Sequence, residues 1–559
     1  MKKQVIQAIL YSLIISCLVF TEIKGTNYYV ATNGNDNNTG TNELPFATIG
    51  KGATIAKAGD SVIIKSGIYK PLTLIQVANS GTATSPIIFK AEVKDAAIID
   101  GSNATTPTTT DRLGIFTILG TTTVTQNWIV VDGLRAINST FVGFYARYAS
   151  NITFKNCSTL NTRASGIIGA NSNDIKVLNC KIQKACLFPS ASVGTNECIT
   201  MASVNRFEVA YNTVFDRLTD PSNGGEGIDA KNDSKDGSIH HNTVYDLIRL
   251  GIYIDAYQRN LSNVDVYANT VYKCSKGIVA AIEAGGTSTG VKIHDNIVYD
   301  NPKGGIQVAG YLVGGIMKDI FVYQNTVVRC GGVMGNTSFE NFGIMVDADN
   351  AANSNFVVRN NIVTDCPLQI KTRNQTYLIV DNNLLLGPNS TPASGNNVFG
   401  NAGTNAILAD PLFEDASKQN FRLKTGSPAI DKAVGSPIST FDFYDFPRPL
   451  KSDIGAIEKQ AAVGLFDAHN KEQSQGFKVH PNPTNGDTNV NFYAQVGKKV
   501  TIEILDLNGA ILQNIPYIPN QTGINALNLR TNLLENGIYI ILIKDNENYR
   551  TAKKLVIQK

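Results

Sequence analysis

The sequence predicts an all-β protein in which a long parallel β-solenoid is followed by a small β-sandwich. The first observation is a repeated pattern, an apolar strand that ends at one small polar residue, seen most clearly in VAYNTV, IHHNTV, VYANTV and VYQNTV. The second is the spacing of the repeats, 22 to 36 residues, which is typical of solenoids. The third is composition, because the repeats are rich in Val, Ile, Tyr and Thr and lack helical periodicity.

One residue of each repeat is expected to stack with its equivalents as a ladder at one turn of the solenoid. Asn suits this position because its amide both donates and accepts hydrogen bonds, here to backbone groups of the neighbouring coil. A second column of buried small residues is predicted five residues beyond three ladder positions, at Cys274, Cys330 and Cys366, in preference to disulfides. The ladder positions are Cys157, Cys180, Asn212, Asn242, Asn269, Asn296, Asn325, Asn361 and Asn383.

Residues 1–25 have the pattern of a secretory signal peptide. Lys2 and Lys3 precede an apolar run from Ala8 to Phe20, and small or polar residues follow. We expect cleavage near residue 25, and the alternative is a lipoprotein signal cleaved before Cys17. No later stretch of the sequence predicts a membrane-spanning segment.

The solenoid is predicted to occupy residues 26–458. Residues 26–102 are its N-terminal cap, because PFATIGKGATIAKAGD predicts a short amphipathic helix before a strand at 61–65, and solenoid ends need a cap. Residues 410–458 lack the repeat and are predicted to close the solenoid. After a polar linker, 459–476, residues 477–559 alternate strands with Asn-Gly turns, which predicts a β-sandwich.

Composition limits the classes of partner. Charged residues make up 17% of the chain and hydrophobic residues 43%, which is typical of a β-rich secreted protein and argues against disorder. The net charge is only +3 and no basic stripe is present, so we expect no nucleic-acid partner. We expect the mature chain to be a monomer.

The tail carries motifs of a known export signal. PNPTNG at 481, DLNG at 506, GIY at 537 and KLVI at 554 together resemble the C-terminal sorting domain of the type IX secretion system of Bacteroidetes. The resemblance implies that residues 477–559 engage that secretion machinery. Export across the outer membrane would then be followed by release or by attachment to the cell surface.

The remainder of the chain resembles a family of secreted proteins. The opening YYVATNGNDNNTGTNELPFATI and the closing DPLF, GSPAID and DIGA resemble bacterial right-handed β-helix proteins, including polysaccharide lyase families six and nine. The resemblance implies a right-handed parallel β-helix. It leaves the activity open, because lyases, glycosidases, epimerases and adhesins share this architecture.

A second strand in each coil begins with Gly-Ile, and two copies, GIDAK at 227 and GIYID at 251, carry charged residues. If Ile228 points into the core, alternation directs Asp229 and Lys231 outward, and likewise Tyr253 and Asp255 on the next coil, about 4.8 Å away. These side chains would form one patch, for which the alternative is an ordinary solvated face with surface ion pairs. Its remaining members are Glu226, Arg249 and Glu283.

This patch predicts a calcium-assisted lyase that cleaves an acidic, uronate-containing polysaccharide by β-elimination. Such an enzyme must acidify the proton beside the sugar carboxylate and then remove it. Glu226, Asp229 and Asp255 would bind calcium through oxygen atoms, and Lys231 would be the base, because a nearby cation lowers its pKa. Without the ion or the substrate, Asp255 would raise the pKa of Lys231, so Lys231, Asp229 and Asp255 form the candidate catalytic group only with one of them in place. GIDAK is also similar to the Gly-x-Asp-x-Lys stretch of some pectate lyases, in which the Asp binds calcium. Tyr253 and Arg249 are the candidate substrate-binding residues of the patch.

Two other functions fit the same residues. A glycoside hydrolase could use Asp229 and Asp255, because their predicted separation of very roughly 8 Å suits an inverting mechanism. A non-catalytic surface protein could bind glycans or mediate adhesion on the same solenoid. Under any of the three, an outward column at His240, Tyr267 and His294 could stack on an acidic glycan, or its rings could simply stabilise neighbouring strands.

Overall fold

Short strands that pair mainly in parallel with strands of neighbouring coils are the main secondary structure between residues 27 and 408. The computed structural model describes residues 25–105, 113–187, 197–217, 224–311, 314–332, 340–373, 375–387 and 399–459. In the tail it describes 477–494, 496–497, 499–506, 511–520, 523–545 and 548–559. The predicted signal peptide and almost all of the predicted linker therefore lie outside the described residues. The chain divides into two units, residues 1–207 and 208–559.

The first unit begins with the predicted cap. Helix α1 (Ile49–Ile55) is followed by a strand at Ser61–Ile64, which confirms both predictions for this segment. Thr48 caps the helix, because its hydroxyl accepts a hydrogen bond from the amide of Lys51 at 3.1 Å. The strands, in chain order, are β1 (Asn27–Val30), β2 (Ser61–Ile64), β3 (Gly67–Tyr69), β4 (Ile75–Gln76), β5 (Ile87–Ala91), β6 (Ala97–Asp100), β7 (Gly114–Leu119), β8 (Gln126–Asp132), β9 (Arg135–Ile137), β10 (Val142–Arg147), β11 (Ala149–Lys155), β12 (Ser158–Leu160), β13 (Ile167–Leu178), β14 (Lys181–Gln183) and β15 (Ile199–Ala210).

Three columns of parallel strands run through the first unit. The first column is β1, β2, β5, β8, β11 and the second half of β13. The second is β3, β6, β9, β12 and β14, and the third is β4, β7, β10 and the first half of β13. A short 3₁₀ helix, Gly101–Asn103, follows β6. This is the parallel β-helix that the repeats predict.

The second unit continues the same architecture with longer strands. Its strands are β16 (Thr213–Arg217), β17 (Ile228–Lys231), β18 (Lys235–His240), β19 (Thr243–Asp255), β20 (Arg259–Tyr267), β21 (Thr270–Ile282), β22 (Gly286–His294), β23 (Ile297–Tyr299), β24 (Gly304–Gly310), β25 (Ile316–Tyr323), β26 (Thr326–Val328), β27 (Phe342–Val346), β28 (Ser354–Arg359), β29 (Ile362–Thr364), β30 (Ile370–Thr372), β31 (Leu378–Asp381), β32 (Leu384–Leu386), β33 (Phe399–Gly400) and β34 (Ile407–Leu408). The column that carries the predicted site residues is β17, the second halves of β19 and β21, then β24, β27 and β30.

The Asn ladder is confirmed in the second unit. Each ladder residue from Asn212 to Asn361 donates its backbone amide to the side-chain oxygen of the next ladder Asn, at 2.9–3.1 Å. Each side-chain amide from Asn242 onward also donates to backbone carbonyls, as that of Asn269 does to Ile239 and Tyr267. The ladder therefore satisfies buried polar groups at the turn of every coil.

The predicted column of small residues is also confirmed. Cys274, Cys330 and Cys366 are buried free thiols, as are the other described cysteines. Asn301 joins this column, because its side chain accepts from the amide of Cys274 at 2.9 Å and contacts the sulfur of Cys330 at 3.7 Å.

The closing segment packs on several coils rather than on one. It contains β35 (Phe413–Asp415) and β36 (Asn420–Leu423), which pair antiparallel, and a 3₁₀ helix, Ala416–Lys418. Its apolar residues, among them Phe421 and Ile454, share a cluster with Ile297, Val328, Ile362 and Leu384, which lie on four successive coils.

The tail forms two antiparallel sheets around its own core. Their apolar residues include Val490, Phe492, Ile502, Ile541 and Leu555. The strands are β37 (Lys478–His480), β38 (Thr488–Ala494) and β41 (Gly523–Leu529) in one sheet, and β39 (Val500–Leu505), β40 (Ile511–Tyr517), β42 (Gly537–Asp545) and β43 (Asn548–Ile557) in the other.

Among the described residues, no helix has the length and apolar character needed to cross a membrane.

Candidate functional site

The predicted register between the two charged strands is confirmed. Asp229 pairs with Tyr253 and Lys231 pairs with Asp255 on the adjacent coil. The next coil places Val279 beside Tyr253, and Ala281 beside Asp255. The charged side chains of β17 and β19 thus lie on one face, alternating with core residues such as Ile228.

The predicted exposure of this face is wrong. Asp229, Tyr253 and Asp255 are 1%, 5% and 6% exposed, and Glu226 is 3% exposed. The reason is packing along the column, because Tyr253 belongs to a cluster with Val279, Ala281, Ala309 and Leu250. An ordinary solvated face is therefore excluded as well.

Two cations keep partial access to solvent at this face. The side chain of Lys231 is 15% exposed, and its ammonium lies 3.7 Å from the carboxylate of Asp229. The side chain of Arg249 is 37% exposed, and two of its nitrogens donate to one oxygen of Glu226 at 2.8 and 2.6 Å. Burial acts to lower the pKa of Arg249, but the Glu226 carboxylate outweighs it and the pKa is raised. Both cations therefore remain available to an anionic ligand while their acidic partners are covered.

Tyr253 links this pair of coils to the next one. Its hydroxyl donates to the carboxylate of Glu283 at 2.5 Å. Burial, with the nearby carboxylates of Asp255 and Glu283, raises the pKa of Tyr253 well above its usual value. Tyr253 therefore stays protonated and acts as a hydrogen-bond donor on this face.

The predicted calcium site finds no support among the described residues. In the part of the chain that the structure describes, no three His, Cys, Asp or Glu side chains are grouped so that they could hold a metal ion. One oxygen of Glu226 already accepts two hydrogen bonds from Arg249, and the Lys231 ammonium stands beside Asp229. Cations of the chain thus face two of the three predicted ligands, and calcium binding by Glu226, Asp229 and Asp255 stays a prediction.

The column predicted to stack on glycans stacks on itself. His240, Tyr267, His294 and Tyr323 are parallel rings with centroids 4.7, 5.3 and 4.7 Å apart in succession. Their faces therefore cover one another, and both histidines are buried. His240 also lies 3.5 Å from Glu208, and His294 bonds to Asp265 at 2.8 Å and to Asp295 at 2.6 Å. The substrate-binding role of His240, Tyr267 and His294 is not retained, and stabilisation of neighbouring strands accounts for them.

Sequence reasoning missed a group of polar residues further along the same face. Lys276, Gln307 and Asp347 are buried and connected by hydrogen bonds, Lys276 to Gln307 at 2.9 Å and Gln307 to Asp347 at 3.2 Å. A signal was present, because GIMVD at 343 ends in an acidic residue as GIYID at 251 does.

Four family models match parts of the chain. Residues 28–186 match the Pel9A-like, right handed beta helix region, and residues 124–281 match the right handed beta helix region. Residues 261–440 match a model described as disaggregatase related. Residues 478–558 match the secretion system C-terminal sorting domain. The candidate site lies within or beside the second match and outside the first.

Two curated proteins and one solved structure are similar to parts of this chain. Pectate lyase PEL9 of Emericella nidulans is 31% identical over 166 residues, which cover 28% of this chain and 39% of that protein. The uncharacterized protein YwoF of Bacillus subtilis is 26% identical over 445 residues, which cover 73% of this chain and 93% of YwoF. The solved structure of pectate lyase Pel9A aligns with 78% of this chain and 97% of its own at 15% identity, with a TM-score of 0.48.

The sorting domain establishes where the protein acts. Its model covers nearly the whole of the predicted tail, 478–558, which confirms the export signal inferred from PNPTNG and the later motifs. The β-helix models and the parallel strand columns confirm the predicted fold. The chain is a right-handed parallel β-helix protein with a type IX C-terminal sorting domain, and it is secreted or attached to the cell surface.

Proposed function

We propose that this protein is a secreted enzyme that cleaves an acidic polysaccharide by β-elimination, with Lys231 as the general base. The observation that carries the proposal is that Lys231 and Arg249, both partly accessible, stand over buried carboxylates on one face of two adjacent coils. The similarity of residues 28–186 to Pel9A-like β-helices supports the reaction class. It does not reach Lys231, so the assignment of residues is argued from geometry.

β-Elimination needs one group that binds the uronate carboxylate and another that removes the neighbouring proton. The guanidinium of Arg249 binds the uronate carboxylate of the substrate, which makes the proton on the adjacent carbon more acidic. Lys231, as the free amine, takes that proton. The electron pair of the broken C–H bond forms a carbon–carbon double bond, the glycosidic C–O bond breaks, and the leaving oxygen takes a proton from water.

Tyr253 and the carboxylates have supporting roles. Tyr253 is a positioning residue, because its hydroxyl is fixed by Glu283 and its ring packs against Val279 and Ala281. Asp229 and Asp255 orient Lys231 from its own strand and from the adjacent coil.

The decisive experiment is an assay on pectate, alginate and glycosaminoglycans that follows both ultraviolet absorbance and reducing ends. Unsaturated product that absorbs in the ultraviolet supports elimination, whereas reducing ends without absorbance indicate hydrolysis, for which Asp229 and Asp255 are the candidates. Binding without any product indicates an adhesion protein. Activity that persists in the presence of a chelator supports a site that uses Lys231 and Arg249 without a metal. Loss of activity with the chelator indicates that a metal ion takes part in the reaction.

Variants test the assignment of the base. Lys231→Ala should lower kcat by at least about a hundredfold. The matched control is Lys235→Ala, since Lys235 is an exposed lysine on the neighbouring strand β18. Activity of Lys231→Ala equal to that of the control would remove Lys231 from the mechanism.

A further inference from the structure

A second polar group lies on the same outer face, three coils beyond Asp229. The register runs from Asp229 to Tyr253, Val279 and Gln307 in one column. Val279 and its neighbours Ala281 and Ala309 are fully buried, so an apolar stretch separates the two polar groups.

The second group is a connected set of donors and acceptors. The side-chain oxygen of Gln307 accepts from the Lys276 ammonium at 2.9 Å and from the Tyr311 hydroxyl at 3.3 Å. The side-chain amide of Gln307 donates to Asp347 at 3.2 Å. Burying a lysine and an aspartate is costly for stability, which is why such groups are concentrated at functional sites.

One carboxylate is shared between two cations at the outer edge of this group. Glu340 lies 2.9 Å from the ammonium of Lys303 and 3.7 Å from that of Lys276. The side chains of Glu340 and Lys303 are 47% and 53% exposed, whereas that of Lys276 is 10% exposed. An external carboxylate can therefore reach Lys276 from the side on which Glu340 stands.

The pKa shifts of Glu340, Asp347 and Lys276 favour an anionic ligand at this group. Burial acts to raise the pKa of Glu340, but the two lysines outweigh it and the pKa is lowered, so the position beside Lys276 favours a charged carboxylate. Burial raises the pKa of Asp347, which reduces its repulsion of a second anion. Burial lowers the pKa of Lys276, and an added carboxylate partner opposes that change.

We propose that Lys276, Gln307 and Lys303 form a second binding site for the carboxylate of an acidic sugar unit, in which Glu340 occupies the ligand position when no glycan is bound. The site rests on the proposed function for the identity of its ligand as an acidic glycan. It does not depend on Lys231 being the base.

The test measures binding by calorimetry, with hexamers of galacturonate and of alginate as probes, under conditions in which the absorbance and reducing-end assays detect no product. Lys276→Met should weaken binding of the preferred hexamer roughly tenfold or more, because a charge-assisted hydrogen bond is lost. Glu340→Gln should tighten binding several-fold, because the competing carboxylate becomes neutral. Lys318→Met, at an exposed lysine of β25, should change nothing.

Weaker binding of the hexamer by Lys276→Met together with tighter binding by Glu340→Gln would show that Glu340 occupies the ligand position in the free protein. Weaker binding by Glu340→Gln would mean that Glu340 builds the site, and it would overturn the proposal, as would failure of the parent to bind either hexamer. Asp347→Asn, which preserves shape and hydrogen bonding, replaces Lys276→Met if that variant does not fold, and its binding should be at least as tight as that of the parent. Weaker binding by Asp347→Asn would also overturn the proposal. Absence of unsaturated product from the wild type refutes the proposed elimination, whereas unchanged binding by these variants refutes only this site.

Discussion

The ammonium of Lys231 lies 3.7 Å from the carboxylate of Asp229, two residues earlier on the same face of β17. An opposite charge at this distance favours the protonated amine, which is inactive as a base. Asp229 is therefore the neighbour whose charge a test of the proposed base should change.

The first prediction concerns the pH dependence of activity. Asp229→Asn removes a negative charge 3.7 Å from the Lys231 ammonium, so under the proposed mechanism the acidic limb of the kcat/KM profile should move to lower pH. The measurement is the initial rate of unsaturated product across the pH range, with Asp233→Asn as the control at an exposed aspartate. A profile that does not move, with activity intact, would show that Lys231 is not the titrating group.

The second prediction concerns the pH dependence of stability. Burial acts to lower the pKa of His294, but hydrogen bonds to Asp265 and Asp295 outweigh it and raise the pKa to about 9. An unfolded His has a pKa of about 6.5, so this stabilisation is complete below that pH and is lost as the pH rises through 9.

The free energy of unfolding should consequently fall by roughly 3 kcal/mol over that interval. Urea unfolding at several pH values checks this, with His294→Gln as the comparison, because the variant should lose this part of the pH dependence and retain the rest. Equal slopes for the two proteins would contradict the prediction.

The third prediction concerns the Asn ladder. The side chain of Asn269 takes part in five hydrogen bonds, donating to Ile239, Tyr267 and Asn296 and accepting two from Asn242. Asn269→Ala leaves several of these partners buried without a bond and should lower the free energy of unfolding by about 2–4 kcal/mol. Asn260→Ala, at an exposed position of β20, should cost less than about 0.5 kcal/mol. A similar cost at both positions would show that the ladder does not stabilise the solenoid.

The sequence was informative where a pattern repeats from coil to coil. The ladder and the register of Lys231 with Asp255 could both be predicted, because Asn-Thr-Val and Gly-Ile starts align the coils. The place of Asn301 in the column of buried small residues could have been predicted too. Asn301 follows Asn296 by the same five residues that separate Cys274 from Asn269.

Burial and pairing across long separations could not be predicted in this way. Tyr253 is covered by Val279, Ala281 and Ala309 from later coils, and alternation alone says only that its side chain points away from the core. The sequence likewise predicts that the column of His and Tyr rings binds a glycan, whereas in the structure the rings stack face to face on one another. Contacts made by the closing segment follow no repeat and leave no signal in the spacing.

The last prediction concerns one such contact. Arg448 of the closing segment is fully buried and donates to Asp295 at 2.6 Å and to Glu458 at 2.8 Å. The first pair joins residues 153 positions apart in the sequence. Burial raises the pKa of Glu458 to about 7 even though Arg448 opposes the change, so the guanidinium is needed to keep this carboxylate charged.

Arg448→Met keeps most of the side-chain volume but removes the cation beside the buried carboxylate of Glu458, while Asp295 keeps its bond to His294. The free energy of unfolding should fall by about 3–5 kcal/mol at neutral pH. The loss should shrink at acidic pH, where protonation of Glu458 removes its uncompensated charge. Urea unfolding at pH 5 and pH 8, with Lys451→Met as the exposed control, separates this charge effect from simple loss of packing, which would lower stability equally at both pH values.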